Sequence, residues 1–152
     1  MKDICKQSLA LLGLLLMVIP AALSAKPQPP QAHPAYLHAL SDLRDARAHL
    51  QRPDGGALRD EEKKAIHEID VAVSEIKKAS IDDGKNINDH VPVDSHLAWP
   101  DRLQRAIELL NKAHHDISQE EDNTFAQGLR ARAIMHIDSA HHDVEEAMRV
   151  GQ

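Results

Sequence analysis

A stretch of fifteen residues occurs twice in this chain, and the repeat strongly constrains the fold. Residues 65–79 (AIHEIDVAVSEIKKA) align with residues 133–147 (AIMHIDSAHHDVEEA) at a shift of 68 positions. Six positions are identical, and in the first copy they are Ala65, Ile66, Ile69, Asp70, Ala72 and Ala79. Repetition at a fixed period indicates that one supersecondary unit is built twice.

The repeat extends upstream, where a shift of 67 positions aligns another apolar set. Ala39, Leu43, Ala46 and Leu50 fall on Ala106, Leu110, Ala113 and Ile117. In all four segments the apolar residues recur at steps of three and four, which is the spacing of one face of a helix. The pattern predicts helices over about 35–51, 61–80, 100–119 and 125–150.

Two hairpins with one apolar stripe each must bury those stripes against one another. We therefore predict an all-α fold, an antiparallel up-down-up-down four-helix bundle built from two duplicated αα-hairpins. The halves are residues 35–80 and 100–150, and a long crossover loop, residues 81–99, joins them. In that order the ends of the second and fourth helices lie beside the starts of the first and third.

The first 25 residues have the pattern of a secretory signal peptide, with Lys2 and Lys6 before an apolar run at 9–19 and small residues at 21, 22, 24 and 25. Residues 26–34 are a proline-rich spacer. The run is too short to span a bilayer as a helix, although an uncleaved anchor is an alternative. We expect a periplasmic or secreted protein with no stable membrane insertion after cleavage. The only cysteine, Cys5, lies in the segment that is removed.

Charge and motif content exclude several functions. The formal net charge is −6 and no basic patch occurs, so we expect no binding to nucleic acid. No nucleophile, base and orienting group can be assembled into a catalytic set, so we do not expect an enzyme. The first hypothesis is a non-enzymatic protein that binds an unidentified partner or ligand through the crossover end.

The eleven histidines suggest an alternative, a periplasmic histidine-rich protein that binds a divalent metal ion. His141 stands where the first copy has Val73, a core position. With the predicted helix order, one end of the bundle would carry a set of candidate ligands for Zn²⁺, Cu²⁺ or Ni²⁺. These residues are His38, His96, His141 and His142. The other interpretation of His141 is a partly exposed histidine with satisfied nitrogens.

Two further sets of residues have a structural interpretation. Asp70 and Asp138 border the apolar stripe at matched positions, and we expect them to form salt bridges or polar contacts with a neighbouring helix. Candidate contacts are Arg47, Lys112 and His114. The doublets at 114–115 and 141–142 are not ligand pairs, because adjacent helical residues point about 100° apart.

Three segments resemble a group of small exported bacterial helical-bundle proteins. They are HPAYLHALSDLRDAR at 33–47, ASIDDGKNINDH at 79–90 and EEDNTFAQGLRARAIMHID at 120–138. The resemblance implies export and a helical fold, and it supplies no activity, cofactor or site residue. At fold level the chain also resembles small periplasmic chaperones, although it lacks their L-T-x-x-Q signature. A small periplasmic holdase chaperone is therefore the third hypothesis.

Overall fold

A computed structural model describes residues 34–51, 59–78, 84–94, 96–119 and 124–151. For residues 124–126 it describes the backbone alone. The predicted signal peptide, the spacer up to residue 33 and the two turns at 52–58 and 120–123 lie outside the described residues.

Four helices make up the fold: α1 (Pro34–Leu50), α2 (Asp60–Lys78), α3 (Trp99–Gln119) and α4 (Thr124–Val150). The described ranges contain no strand. The all-helical class and the four-helix packing are therefore confirmed, and each helix begins and ends within about two residues of the predicted bounds.

Local chemistry explains where the helices begin. Pro34 starts α1 and Pro100 is the second residue of α3, and the fixed φ of proline suits the first helical turn. At the start of α2, the backbone N–H of Arg59 donates to Glu62 Oε2 at 2.7 Å. This bond satisfies one of the donors that a helix leaves free at its N-terminus, as in a capping box.

The core is aliphatic except for Tyr36, and both copies of the repeat contribute the same positions to it. Ile69 and Ile137 are both inaccessible to solvent, and so are Leu43 and Leu110. The other matched pairs that are buried in both copies are Ala39 with Ala106, Ala46 with Ala113, Leu50 with Ile117, Ala65 with Ala133, Ala72 with Ala140 and Ile76 with Val144. These apolar positions, which the sequence pattern places on one face of each helix, are therefore the positions that pack in the core.

Each helix contacts two neighbours, so that α1 packs on α2 and α3 while α4 packs on α2 and α3. The pairs α1/α4 and α2/α3 lie across the diagonals. Along α2 and α4 the contacts run in opposite directions, because Glu68 meets His136 whereas Glu75, further along α2, meets Arg132. The helices α2 and α4 are therefore antiparallel.

The N-termini of α2 and α3 lie at the same end of the bundle. Trp99, the first residue of α3, donates its indole N–H to Glu62 Oε1 at 2.6 Å. At that end Arg102 also reaches the carbonyl of Gln51, just beyond α1, and a Cβ added at Gly151, just beyond α4, would collide with the Trp99 ring. The starts of α2 and α3 therefore share one end with the finishes of α1 and α4.

The expected up-down-up-down order is wrong in this respect, because α2 and α3 run in the same direction. The order that the contacts describe is up-down-down-up. Its physical basis is the crossover, which returns along the bundle instead of turning at one end. Helix α2, with 19 residues, is about 28 Å long, and about twenty extended residues reach that far easily.

The crossover lies against α1 as it returns. It is first held at the end of α2, where Lys77 Nζ donates to the carbonyl of Lys85 at 2.9 Å. Arg44 Nε then donates to the carbonyl of Asp89 at 3.0 Å, and the N–H of Val91 donates to Asp45 Oδ1 at 3.1 Å. These bonds fix the segment over the groove between α1 and α2.

Removing a matched core side chain should cost similar stability in either hairpin. Ile69→Ala and Ile137→Ala should each lower the free energy of unfolding by about 2–5 kcal/mol, because each leaves a cavity in a packed core. Urea denaturation followed by circular dichroism measures the change. Ser74→Ala, at an exposed position of α2, is the control and should change stability by less than about 0.5 kcal/mol. A loss below 1 kcal/mol for either isoleucine variant would contradict the packing.

Candidate functional site

An open pocket lies in the groove between α3 and α4. Its volume is about 260 Å³, and its lining comes from these two helices alone. The residues are Leu110, Asn111, His114, Ile137, Asp138 and His141. Leu110 and Ile137 are buried and form an apolar floor, so the polar side chains stand around its rim.

Helical spacing brings the polar residues together. Asp138 and His141 are three residues apart on α4, which places them on neighbouring parts of one face. His114 approaches them from α3, and its Nε2 lies 3.5 Å from Asp138 Oδ1. His141 Nδ1 lies 3.7 Å from Glu145 Oε2, one turn further along α4. Two imidazoles and a carboxylate thus border one pocket.

The matched groove of the first hairpin has different side chains at these positions. The repeat aligns Arg44 with Asn111, Arg47 with His114, and Val73 with His141, while Asp70 and Asp138 are the same residue. In the first hairpin Arg47 Nε contacts Asp70 Oδ1 at 2.7 Å. The matching contact of Asp138 is longer, because His114 Nε2 lies 3.5 Å from Asp138 Oδ1. The second groove therefore lacks the two guanidinium groups of the first and has the same carboxylate.

The crossover covers the first groove. Arg47 donates to Asn88 Oδ1 at 3.0 Å, and Arg44, although charged, is only 1% exposed. The difference is visible in the matched contacts: the side chains of Arg47 and Asp70 are 14% and 41% exposed. Those of His114 and Asp138 are 41% and 62% exposed. The second groove is the more open of the two.

The predicted polar contacts of the two aspartates are confirmed, since Asp70 pairs with Arg47 and Asp138 with His114. These contacts are related by the same shifts of 67 and 68 positions that align the two halves. A third contact joins two matched positions to each other. The shift of 68 aligns Glu68 with His136, and the side chains of these two residues meet at 2.6 Å. A two-fold relation between the hairpins would place its axis between these two residues.

The four histidines predicted as metal ligands are not brought together. His38 lies near the start of α1 and His96 lies just before α3, which begins at the far end of α1. The distance along α1 from His38 to Leu50 alone is about 18 Å. His141 borders the α3/α4 pocket, while the adjacent His142 is exposed. The prediction failed because it depended on the up-down-up-down order.

Across the described ranges, no group of three or more His, Cys, Asp or Glu side chains is already arranged to hold a metal ion. The sequence did indicate His141, whose mismatch with Val73 marks the pocket; Val73 is buried, whereas the His141 side chain is 26% exposed. His114 was predicted only as a polar contact of the two aspartates, and Asn111 was not predicted. The alignments of Arg44 with Asn111 and of Arg47 with His114 are the signal that identifies them.

A second pocket, of about 320 Å³, lies between the end of α1, the crossover and α3. His49 lines it together with Asp94, Asp101 and Arg105. Burial lowers the pKa of His49 and the nearby Arg105 guanidinium lowers it further. Its Nδ1 is buried without a hydrogen-bond partner among the described residues. The lowered pKa makes protonation of His49 less favourable in the folded protein than in the unfolded chain, so this residue contributes to the pH dependence of stability.

Comparison with known protein families, curated proteins and solved structures finds no match to this chain. Among the helices that the structure describes, none is both long and apolar enough to cross a membrane. Inferences about function therefore rest on the geometry of the grooves.

His49 should make the protein less stable as the pH falls. Its pKa in the folded protein lies below the ordinary value of 6.5, so the unfolded chain binds the proton more readily. Stability is then retained above about pH 6.5 and lost as the pH drops toward the lowered pKa. His49→Gln removes this loss. The variant should therefore become more stable relative to the unmodified protein as the pH is lowered from 7 to 5. Urea midpoints at several pH values measure it.

The matched control is His67→Gln, which removes an exposed histidine from α2. It should leave the slope of stability against pH close to that of the unmodified protein. Equal slopes for His49→Gln and the unmodified protein would show that the environment of His49 does not act as described.

Proposed function

We propose that this protein is a non-enzymatic, exported helical-bundle protein that binds a cationic ligand in the groove between α3 and α4. The observation that carries the proposal is the changed environment of one repeated carboxylate. Asp70 contacts a guanidinium, whereas Asp138 borders an open pocket of about 260 Å³ with a histidine 3.5 Å away. A bound cation would take the place that Arg47 occupies in the first hairpin.

Electrostatics supports a cation over an anion. Near the pocket the carboxylates of Asp138 and Glu145 stand beside neutral or titratable groups. The first hairpin has Lys77 at the position that matches Glu145, and this lysine donates to the crossover. The second groove has therefore exchanged a positive side chain for a negative one at one position and lost two arginines at others. Cations are attracted to such a surface.

A binding role fits the chemistry of the lining better than catalysis. The six lining residues include no hydroxyl or thiol that would serve as a nucleophile. Ser139, next to Asp138, uses its hydroxyl in a bond to the carbonyl of Met135. Export is proposed from the signal-peptide pattern at 1–25, and it would place the groove in contact with ions and solutes outside the cytoplasm.

We also infer that the two hairpins are duplicates of one ancestral hairpin. The support is the agreement of sequence shift with geometry: the buried positions match, and the Arg47–Asp70 contact corresponds to His114–Asp138. Duplication gives two equivalent grooves at the start. One groove is now covered by the crossover, and the other has different rim residues.

No specific observation favours the holdase hypothesis. The exposed large apolar residues among the described ranges are Leu37, Val91, Met135 and Val150. They lie at the start of α1, on the crossover, and fifteen positions apart on α4. They are not neighbours in one concave surface of the kind that a holdase presents.

The binding proposal is tested by restoring the arginine of the first hairpin. In wild-type protein labelled with ¹⁵N, at least one cation from a panel of Zn²⁺, Ni²⁺, spermidine and arginine methyl ester should shift the amide resonances of residues 110–114 and 137–141. In His114→Arg, the new guanidinium should pair with Asp138 and occupy the pocket, so these shifts should disappear. The new pair should leave stability unchanged or raise it by up to about 1 kcal/mol.

His115→Arg is the matched control, because it adds the same charge to the exposed neighbouring position. It should leave the response to the cation intact. The proposal is wrong if no cation of the panel produces shifts at these residues, or if His114→Arg responds as strongly as the wild type.

A further inference from the structure

We propose that the cation is a divalent transition-metal ion of the Zn²⁺, Cu²⁺ or Ni²⁺ class, bound by His114, Asp138 and His141. This inference rests on the proposed cation-binding function and names its ligand. The three residues border the same pocket, and they combine two imidazoles with one carboxylate. Those donors suit these metals, whereas Mg²⁺ and Ca²⁺ prefer sets made of oxygen atoms.

Two of the three donors are already at a suitable separation. His114 Nε2 and Asp138 Oδ1 are 3.5 Å apart. Two atoms that each lie about 2.0–2.1 Å from a tetrahedral ion are separated by roughly 3.3 Å, so an ion fits between this pair with a small movement. The donors come from different helices, so the ion would join α3 to α4.

The third donor needs a rotation of its side chain. Asp138 and His141 are three residues apart on α4, and their Cβ atoms are about 5–6 Å apart at that spacing. His141 is partly exposed and is turned toward Glu145 in the arrangement described, where no three ligands have yet converged. Its Nδ1 is the nitrogen that approaches Glu145, so Nε2 is the nitrogen available to an ion.

Glu145 has the position of an orienting group. Histidines that bind metal ions commonly donate their other ring N–H to a carboxylate, which fixes the tautomer and the ring plane. The 3.7 Å approach between His141 Nδ1 and Glu145 Oε2 shortens to a hydrogen bond with a small rotation. The first copy has Lys77 at this position, which offers no acceptor. Glu145 is therefore a positioning residue in the proposed site.

The lining also favours a metal ion over an organic cation. None of the six lining residues is Trp, Tyr or Phe, so the pocket lacks the ring faces that most often bind an ammonium or guanidinium group. An organic cation would bring several N–H groups that each need an acceptor. The imidazole nitrogens suit a metal ion, which takes them as ligands, better than they suit such a cation. Asn111 or a water molecule can complete the coordination, and a volume of about 260 Å³ accommodates a partly hydrated ion.

Metal titration of the untagged protein, stripped with a chelator and dialysed, tests this assignment. Calorimetry with Zn²⁺ should show one ion bound per chain, and Co²⁺ should develop the visible absorption of a site with nitrogen ligands. His141→Val, which introduces the residue of the first copy, should weaken binding more than tenfold, and Asp138→Asn should do the same. Glu145→Gln should weaken it by about tenfold, as for other orienting carboxylates.

His142→Val and His115→Ala are the controls, because they remove exposed histidines outside the pocket and account for weak binding at the surface. Both should bind Zn²⁺ with wild-type affinity, and circular dichroism should show every variant folded. Affinity should fall as the pH is lowered, because protonated imidazoles cannot bind metal.

The outcomes separate this inference from the function on which it rests. If spermidine or arginine methyl ester shifts the resonances of the pocket while Zn²⁺, Cu²⁺ and Ni²⁺ do not bind, the metal assignment is overturned and the cation-binding proposal stands. If no cation binds, both are overturned. Unchanged Zn²⁺ affinity in His141→Val also overturns the assignment, because the ion is then held by other histidines.

Discussion

Burial of two apolar stripes is the interaction on which the rest of this structure depends. Neither hairpin can bury its stripe alone, so the two must pack face to face. Each leucine or isoleucine that is fully buried contributes about 1.5–3 kcal/mol, whereas an exposed ion pair contributes about 0–1 kcal/mol. Ile69 and Ile137 can therefore hold the halves together while the polar positions beside them differ. The contrast between Arg47 and His114 leaves the buried stripe unchanged.

The crossover makes the two halves unequal. It returns along α1 and forms a lid on the first groove, where carbonyl and amide groups of the segment meet Arg44 and Arg47. An arginine that is 1% exposed requires such partners, because an unpaired buried charge is costly. On the α3/α4 groove the pocket is lined by helix residues alone. The same scaffold thus has one groove closed by its own chain and one open to a ligand.

Sequence periodicity was sufficient to predict the helices and the core, because both depend on local spacing and on which side chains are apolar. The matched positions predicted that Leu43 and Leu110 are buried, and both are. The direction of α3 was not predictable in the same way. Short turns force antiparallel neighbours, but a crossover of about twenty residues permits either direction. The choice depends on contacts such as Trp99 with Glu62, which no local pattern encodes.

The errors at the candidate site follow from that one uncertainty. His38 and His96 were placed together only by the assumed order, and the observed order separates them along the length of α1. The comparison of His141 with Val73 uses register within one helix and does not depend on helix direction, and His141 is partly exposed at the pocket, as in the second interpretation, whereas Val73 is buried. His114 was predicted only as a polar contact of the two aspartates, and its place in the doublet gave no indication of a pocket. Its relevant neighbour was Asp138 on α4, and not His115.

The two matched grooves differ in the contacts that each makes with its own chain. In the first groove Arg44 and Arg47 contact the crossover, and the carboxylate of Asp70 is matched by Arg47. Replacing that arginine with a histidine shortens the side chain and leaves Asp138 without a permanent positive charge beside it. A carboxylate in that position is satisfied by solvent or by a cation from outside. Because Leu110 and Ile137 are buried like their counterparts Leu43 and Ile69, the rims of the two grooves can differ while the fold stays the same.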